Sequence, residues 1–225
     1  MGTRRLRSLL LIGLLSALPL FSQSVHPLTG RQIAPTMSAD GAAWLERPER
    51  ESEEAPEKAL DALSPLKGMA VADVGAGTGY FSIRLARRVG ATGKVYANEL
   101  QPEMLDLLRA NAAKAGISNI EPVLGSESDP KLPVNALDLV LLVDVYHEFS
   151  KPQQMLQHIR ASLKSDGRLV LLEYRKEDPS IPIRPEHKMT VKDVRTEVEA
   201  EGYKLDRVIE TLPRQHIIIF KKGAM

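Results

Sequence analysis

Three acidic residues stand where apolar runs give way to loops: Asp73, Glu99 and Asp144. Asp73 opens the stretch Asp73-Val-Gly-Ala-Gly-Thr-Gly79, with Gly75, Gly77 and Gly79 at alternate positions. Alternate glycines remove side chains where a ligand must lie against the backbone, and a helix starting behind them offers free N–H groups. The spacing is G-x-G-x-G, whereas dinucleotide sites carry G-x-G-x-x-G, and no Walker lysine follows. A carboxylate directly before the glycines opposes a phosphate and favours a ligand with a positively charged end. Glu99 comes 20 positions after Gly79, where a carboxylate can accept from both hydroxyls of a ribose. Each acid also has a plainer reading: Asp73 as a turn acceptor, Glu99 as a solvated surface acid, Asp144 as a helix N-cap. His147, three residues after Asp144, is the candidate general base for an acceptor that must lose a proton; it reads equally well as a structural histidine.

The elements that must position these residues follow from residue 69 onward. Short apolar runs at 69–74, 94–98, 120–124, 137–143, 168–174, 204–211 and 215–221 predict strands. Between them, helical spacing over 81–89, 102–115, 151–163 and 190–201 predicts helices. Strand and helix alternate, so the fold class is α/β: a Rossmann-like, doubly wound sheet of seven strands, mostly parallel. The last strand is antiparallel, because only Leu212-Pro213-Arg214 joins it to the one before. The nearly continuous apolar run at 137–143 predicts a central strand buried on both faces. In such sheets ligands sit at the carboxyl ends of the strands, where Asp73, Glu99, Asp144 and His147 all fall. The loop 175–188, with three prolines and His187 near its end, is placed as a lid over an acceptor. Tyr80 is placed to cover a cofactor and Tyr146 to shape the pocket; His158 and His216 read as structural. No His-x-x-x-His spacing or carboxylate cluster marks a metal site, so no metal is expected.

Four stretches carry a resemblance: Asp73 to Gly79, Asn98-Glu99, Leu142-Val-Asp-Val-Tyr-His-Glu148, and Leu163-Lys-Ser-Asp-Gly-Arg-Leu169. Over residues 66–222 the chain resembles the class I S-adenosylmethionine-dependent methyltransferases, in the small-molecule branch that includes ubiquinone/menaquinone-type enzymes. S-adenosylmethionine, with its ammonium, sulfonium and ribose, suits the charges read above. The resemblance implies in-line transfer of its methyl group to a small-molecule acceptor. It places Gly75, Gly77 and Gly79 along the methionine part, Asp73 near its amino group, Glu99 on the ribose and Leu100 beside the adenine. Ser126 and Glu127 reach the adenine edge, and Asp144 closes the methionine end. Ser126 stands where the family often has an Asp, leaving Glu127 or Asp129 as substitutes. Two other classes stay open: a protein of the same fold that binds S-adenosylmethionine without catalysis, and a nicotinamide-dependent oxidoreductase. The glycine spacing and the closing antiparallel pair speak against the second.

Composition sets the outer bounds. The 225 residues hold 30 Lys+Arg, 29 Asp+Glu, no cysteine and 4% aromatics. Thiol nucleophiles, disulfides and Cys-ligated metals are excluded, and balanced charge with few aromatics argues against a nucleic-acid binder. The net charge of +1 is uneven: residues 1–39 hold four arginines and no acid. Within them a basic start, the apolar run 9–21 and small residues at 22–24 read as a signal peptide or membrane leader over 1–24. The expectation is an exported or membrane-anchored protein, with a cytoplasmic face still open. Residues 25–65 read as an N-terminal arm, draped on the surface at first and then forming one or two short helices interrupted at Pro48 and Pro56. Residues 66–225 read as the S-adenosylmethionine-binding domain. Trp44, the single tryptophan, reads either as an anchor for the arm or as a pocket wall.

Overall fold

The computed structural model describes residues 24–63 and 66–223. The leader read over residues 1–24 therefore lies outside the described residues except for Ser24. The arm forms three short helices, α1 (Ala42–Leu45), α2 (Arg50–Glu54) and α3 (Pro56–Leu63). Then come β1 (Ala70–Val74), α4 (Tyr80–Val89), β2 (Lys94–Glu99), α5 (Pro102–Lys114), β3 (Ile120–Leu124) and β4 (Leu137–Val143). The chain closes with α6 (Pro152–Ser162), β5 (Leu163–Tyr174), α7 (Val191–Ala200), β6 (Tyr203–Ile209) and β7 (Gln215–Lys222).

The seven strands form one sheet in the order β3-β2-β1-β4-β5-β7-β6. Every pairing is parallel except those of β7, which runs antiparallel to both β5 and β6. β4 is central and, except at Asp138 and Val143, fully buried, as its nearly continuous apolar sequence predicts. Val140 and Leu142 join one core with Leu156 and Ile159 of α6 and Val194 and Val198 of α7. Leu139 and Leu141 join the other with Leu60 and Leu63 of α3 and Leu85 and Val89 of α4. The alternation follows from the two-residue repeat of a strand.

β5 begins five residues earlier than the sequence pattern suggests. Leu163 already pairs with Leu137, and the register then shifts so that Arg168 meets Leu139. The expected turn at Ser165-Asp166-Gly167 is an irregularity within the strand. Gly167 fits there because a Cβ would stand 2.8 Å from the Leu137 carbonyl oxygen.

The arm is not merely draped on the surface. Its first part folds back through a bridge between Val25 and Gln32. The buried Arg31 guanidinium then donates to Glu197 of α7 (2.9 Å) and to the carbonyls of His147 (3.1 Å) and Tyr146 (3.5 Å). Apolar periodicity gives no sign of this, since the anchor is an ion pair between residues 166 positions apart. Ala55 takes a left-handed conformation (φ 48°) and breaks α2 from α3 just before Pro56, which opens α3.

Candidate active site

A cavity of about 700 Å³ opens at the carboxyl ends of β1, β2 and β4. Gly75 and Gly77 form its floor, both with positive φ (73° and 53°). A Cβ on Gly75 would overlap the Val145 side chain, and one on Gly77 would stand 2.7 Å from Leu45 Cδ1. Gly75 and Ala76 donate to the Asn98 carbonyl, tying the turn to β2. Glu99 sits at the end of β2 and is only 7% exposed, so it is not a solvated surface acid. Its Oε2 accepts from the Gly77 amide (2.9 Å), and its Oε1 from the amides of Leu100 (2.6 Å) and Gln101 (3.0 Å). Leu100, Ser126 and Glu127 line the cavity beside it, and Glu127 accepts from Ser150 (3.0 Å). Asp129 is not among the lining residues; its carbonyl holds the Ser126 amide (2.8 Å).

Asp144 takes a left-handed conformation (φ 49°) just past β4 and lines the same cavity. Gln215 donates to its Oδ2 (2.7 Å), while Oδ1 is buried with no hydrogen-bond partner among the described residues. Burial, with the Glu54 and Glu173 carboxylates nearby, holds this carboxyl well above the usual carboxylate range. It is not an N-cap: the 3-10 turn Tyr146–Glu148 is flanked by Val145 and has no side-chain cap.

That turn presents His147, 2% exposed, to the cavity. Glu173 of β5 holds its Nδ1 at 2.7 Å and accepts the Tyr146 amide with its other oxygen (3.0 Å). Burial works against the imidazolium, and the adjacent Glu173 carboxylate outweighs it, so the ring's pKa lies above its ordinary value. His187, from the end of the proline-rich loop, meets His147 Nε2 with its Nδ1 at 3.2 Å. Burial, and after it the His147 charge, lower the pKa of His187. Burial also pushes the neighbouring Glu148 up to about 7.

Residues 65–212 match the family model described as a methyltransferase domain. The chain belongs to the methyltransferase-domain family. Among solved structures, the chain is similar to a SAM-dependent methyltransferase from Aquifex aeolicus, with 28% identity and a TM-score of 0.78. That alignment covers 82% of this chain and 98% of the other. It is also similar to a protein-L-isoaspartate O-methyltransferase of Methanococcoides burtonii, 33% identical over 112 residues, 49% of this chain and 52% of that protein. A ubiquinone/menaquinone biosynthesis C-methyltransferase of Escherichia fergusonii is 29% identical over 118 residues, 52% and 47% of the two chains. The chain thus spans about half the length of these two curated relatives. The cyclase SpnF shares the fold alone, at 15% identity and a TM-score of 0.64 over 76% of this chain and 82% of that one. Family and fold together place the chain among the class I methyltransferases, whose cofactor is S-adenosylmethionine.

Not every residue expected at the methyltransferase site faces the cavity. Asp73 lies behind the glycine turn, 2% exposed, where its Oδ2 accepts from the Ser82 hydroxyl (2.6 Å). Burial raises its pKa to about 6, opposed by Ser82 and Arg50 and helped by Glu99. Gly79 (φ 91°) lets α4 start close against Leu108 of α5 and does not line the cavity. Tyr80 is the first residue of α4 and is turned toward the arm. Its hydroxyl donates to Glu51 (2.7 Å), and its ring lies under Arg50 and Arg84. Tyr146 is fully buried against Phe149 in the core, so it does not shape the pocket wall.

The cavity instead gains residues that the motifs did not mark. Trp44, Arg47, Arg50 and Glu54 of the arm line it, together with Tyr174 of β5. Arg50 chelates Glu54 (2.8 and 2.9 Å), and the Tyr174 hydroxyl donates to Glu54 (2.9 Å). Arg47 stacks on the Trp44 ring at 3.7 Å, so this tryptophan serves as both wall and anchor. For Arg50 and Glu54 the sequence signal is their i, i+4 spacing on a short charged helix, a pattern common on solvated faces.

Proposed function

We propose that the chain transfers a methyl group from S-adenosylmethionine to a small-molecule acceptor. The observation that carries this reading is the meeting, in one cavity, of the side-chain-free glycine turn, the Glu99 carboxylate and the unpartnered Oδ1 of Asp144. A turn without side chains and a buried acceptor lacking a donor fit a ligand with hydroxyls and a cationic end. When bound, S-adenosylmethionine supplies a methyl group already activated on a sulfonium. Gly75 and Gly77 lie along its methionine part, Glu99 takes its ribose, and Leu100, Ser126 and Glu127 border its adenine. Asp144 takes the ammonium end, with Asp73 acting on that end only through the field behind the turn.

Residues of the arm and of the 182–187 loop line the rest of the cavity. Its size falls in the range of small-molecule sites, which favours a compact acceptor over a protein segment. His147, oriented through Nδ1 by Glu173 and met at Nε2 by His187, lines this space; where the acceptor must lose a proton, Nε2 takes it once His187 gives way. The basic, apolar leader read over 1–24 supports an exported or membrane-anchored protein; N-terminal sequencing of the protein from its host tells cleaved from anchored.

Calorimetry of the full chain with S-adenosylmethionine and with NAD(H) tests the cofactor. Binding of the first and not the second is expected; the reverse sinks the proposal. A screen of quinols, phenols, amines and carboxylates then tests the acceptor. The cyclase SpnF shows that this fold serves other chemistry, so cofactor binding with no turnover on any acceptor class would favour the non-catalytic reading.

A further inference from the structure

The cavity wall holds a group of side chains for which cofactor binding gives no reason. His147, Glu148 and His187 each offer one donor atom to a common point. His147 Nε2 lies 3.2 Å from His187 Nδ1 and 3.9 Å from Glu148 Oε1, and His187 Nδ1 lies 4.0 Å from the same oxygen. All three residues line the cavity. Tetrahedral metal sites with bonds of about 2.0–2.1 Å set their ligand atoms about 3.3 Å apart. One edge of the triangle already has that length, and a small rotation of the Glu148 carboxylate closes the other two.

The hydrogen-bond geometry points the same way. Glu173, fully buried and accepting from the Tyr146 amide, lies 2.7 Å from His147 Nδ1 and leaves Nε2 turned toward His187. Metal-binding histidines are held in this manner by a carboxylate on the other ring nitrogen. Arg31 holds the His147 carbonyl from behind, so the ring stands on a fixed backbone. Two ring nitrogens facing each other at 3.2 Å hold either a hydrogen bond or, with a small adjustment, a metal ion between them.

We infer that His147, Glu148 and His187 form a binding site for a divalent transition-metal ion of the zinc type. Two imidazoles and one carboxylate are the donor set such ions take, with at least one coordination position left open. Here the open position faces the cavity. The ligand it would take is an acceptor bearing an ionisable oxygen or sulfur, whose proton leaves more readily on the metal. The ion makes that proton more acidic, and it leaves to solvent water rather than to Nε2 of His147. This last clause rests on the proposed methyl transfer; the metal site does not. Sequence spacing gave no sign of the site because His187 arrives from 40 positions away.

The test uses the untagged full-length chain, stripped with EDTA, dialysed and titrated with Zn²⁺ alone. One Zn²⁺ per chain is expected, with affinity reduced at least about 100-fold in His187→Ala and Glu148→Gln, and about 10–100-fold in Glu173→Gln. His187 lies on a loop, and a circular dichroism spectrum of its variant reports whether the fold survives. With Co²⁺ as the probe, a visible absorption band that vanishes in His187→Ala supports the same site. Failure to bind Zn²⁺ stoichiometrically, or binding unchanged in both His187→Ala and Glu148→Gln, overturns it. Full methylation rate in the stripped protein overturns the role assigned toward the acceptor. Zinc bound without any S-adenosylmethionine affinity upholds the site and sinks the proposed function instead.

Discussion

The two walls of the cavity are built by opposite means. The glycine-turn wall comes from the ends of neighbouring parallel strands, and its key contact, Gly77 to Glu99, spans 22 positions. The other wall gathers α1 and α2 of the arm, the turn after β4 and the end of the proline-rich loop. Its anchor, Arg31 to Glu197, spans 166 positions. The first wall is held mainly by backbone amides, the second by side-chain ion pairs and ring contacts. A wall made of backbone can be read from a local motif. One made of distant side chains is visible only once the chain has folded.

The comparison breaks most sharply at Arg31. Arg31→Ala leaves the Glu197 carboxylate buried without its guanidinium, and breaking a buried pair in this way costs about 3–5 kcal/mol. Urea unfolding measures it; a loss under about 1 kcal/mol would show that the arm is only draped. Next comes Asp73 behind the glycine turn, whose pKa rises from 3.8 to about 6 on burial. A raised folded-state value means that stability is fully present below pH 4 and declines as pH rises to about 6. The shift corresponds to a decline on the order of 2–3 kcal/mol. In Asp73→Asn that decline disappears, so the stability of the variant relative to wild type should grow between pH 4 and pH 6 and then stay flat. A constant difference across that range would show that Asp73 is not held neutral by burial.

Glu99→Ala removes an acceptor from the ribose position and should weaken S-adenosylmethionine by about 1–3 kcal/mol in calorimetry. Unchanged affinity would place the ribose elsewhere. The smallest effect is expected at Trp44, 49% exposed and stacked under Arg47. Trp44→Ala should cost about 0.5–1 kcal/mol of arm docking, read as a lower unfolding midpoint with the sheet's circular dichroism signal unchanged.

Legibility in the sequence divides along the same line. Strand and helix alternation gave the sheet, and the three-residue connection before β7 gave its antiparallel pairing, because both are local patterns. The starts of α4 and β5 were misplaced by one and five residues: glycines at a turn and at a strand irregularity look alike in sequence. Gly75, Gly77, Glu99 and Asp144 are legible as residues of one cavity wall because their types and spacing carry the reason for their positions. Tyr80 was misjudged because its direction depends on Arg50 and Glu51, which only the folded arm brings to it. Asp73 was rightly singled out as a strand-end acid, but strand alternation turns its carboxyl to the helix side of the turn, toward Ser82. Trp44 and the His187 loop are legible as a wall and a lid, and both line the cavity, but Arg47, Glu54 and the meeting of His187 with His147 depend on the folded chain.

The Arg31 clamp also sets an order of events. Arg31 leaves the ribosome 166 residues before the glutamate that neutralises it, and long-range closures of this kind are entropically late. The adjacent strands and α4 can pair as they emerge, so the cofactor wall has what it needs early. The arm must wait for α7, although it is made first. The enclosed pocket therefore closes only after α7 is made, and a ligand that bridges both walls would hold that late closure in place.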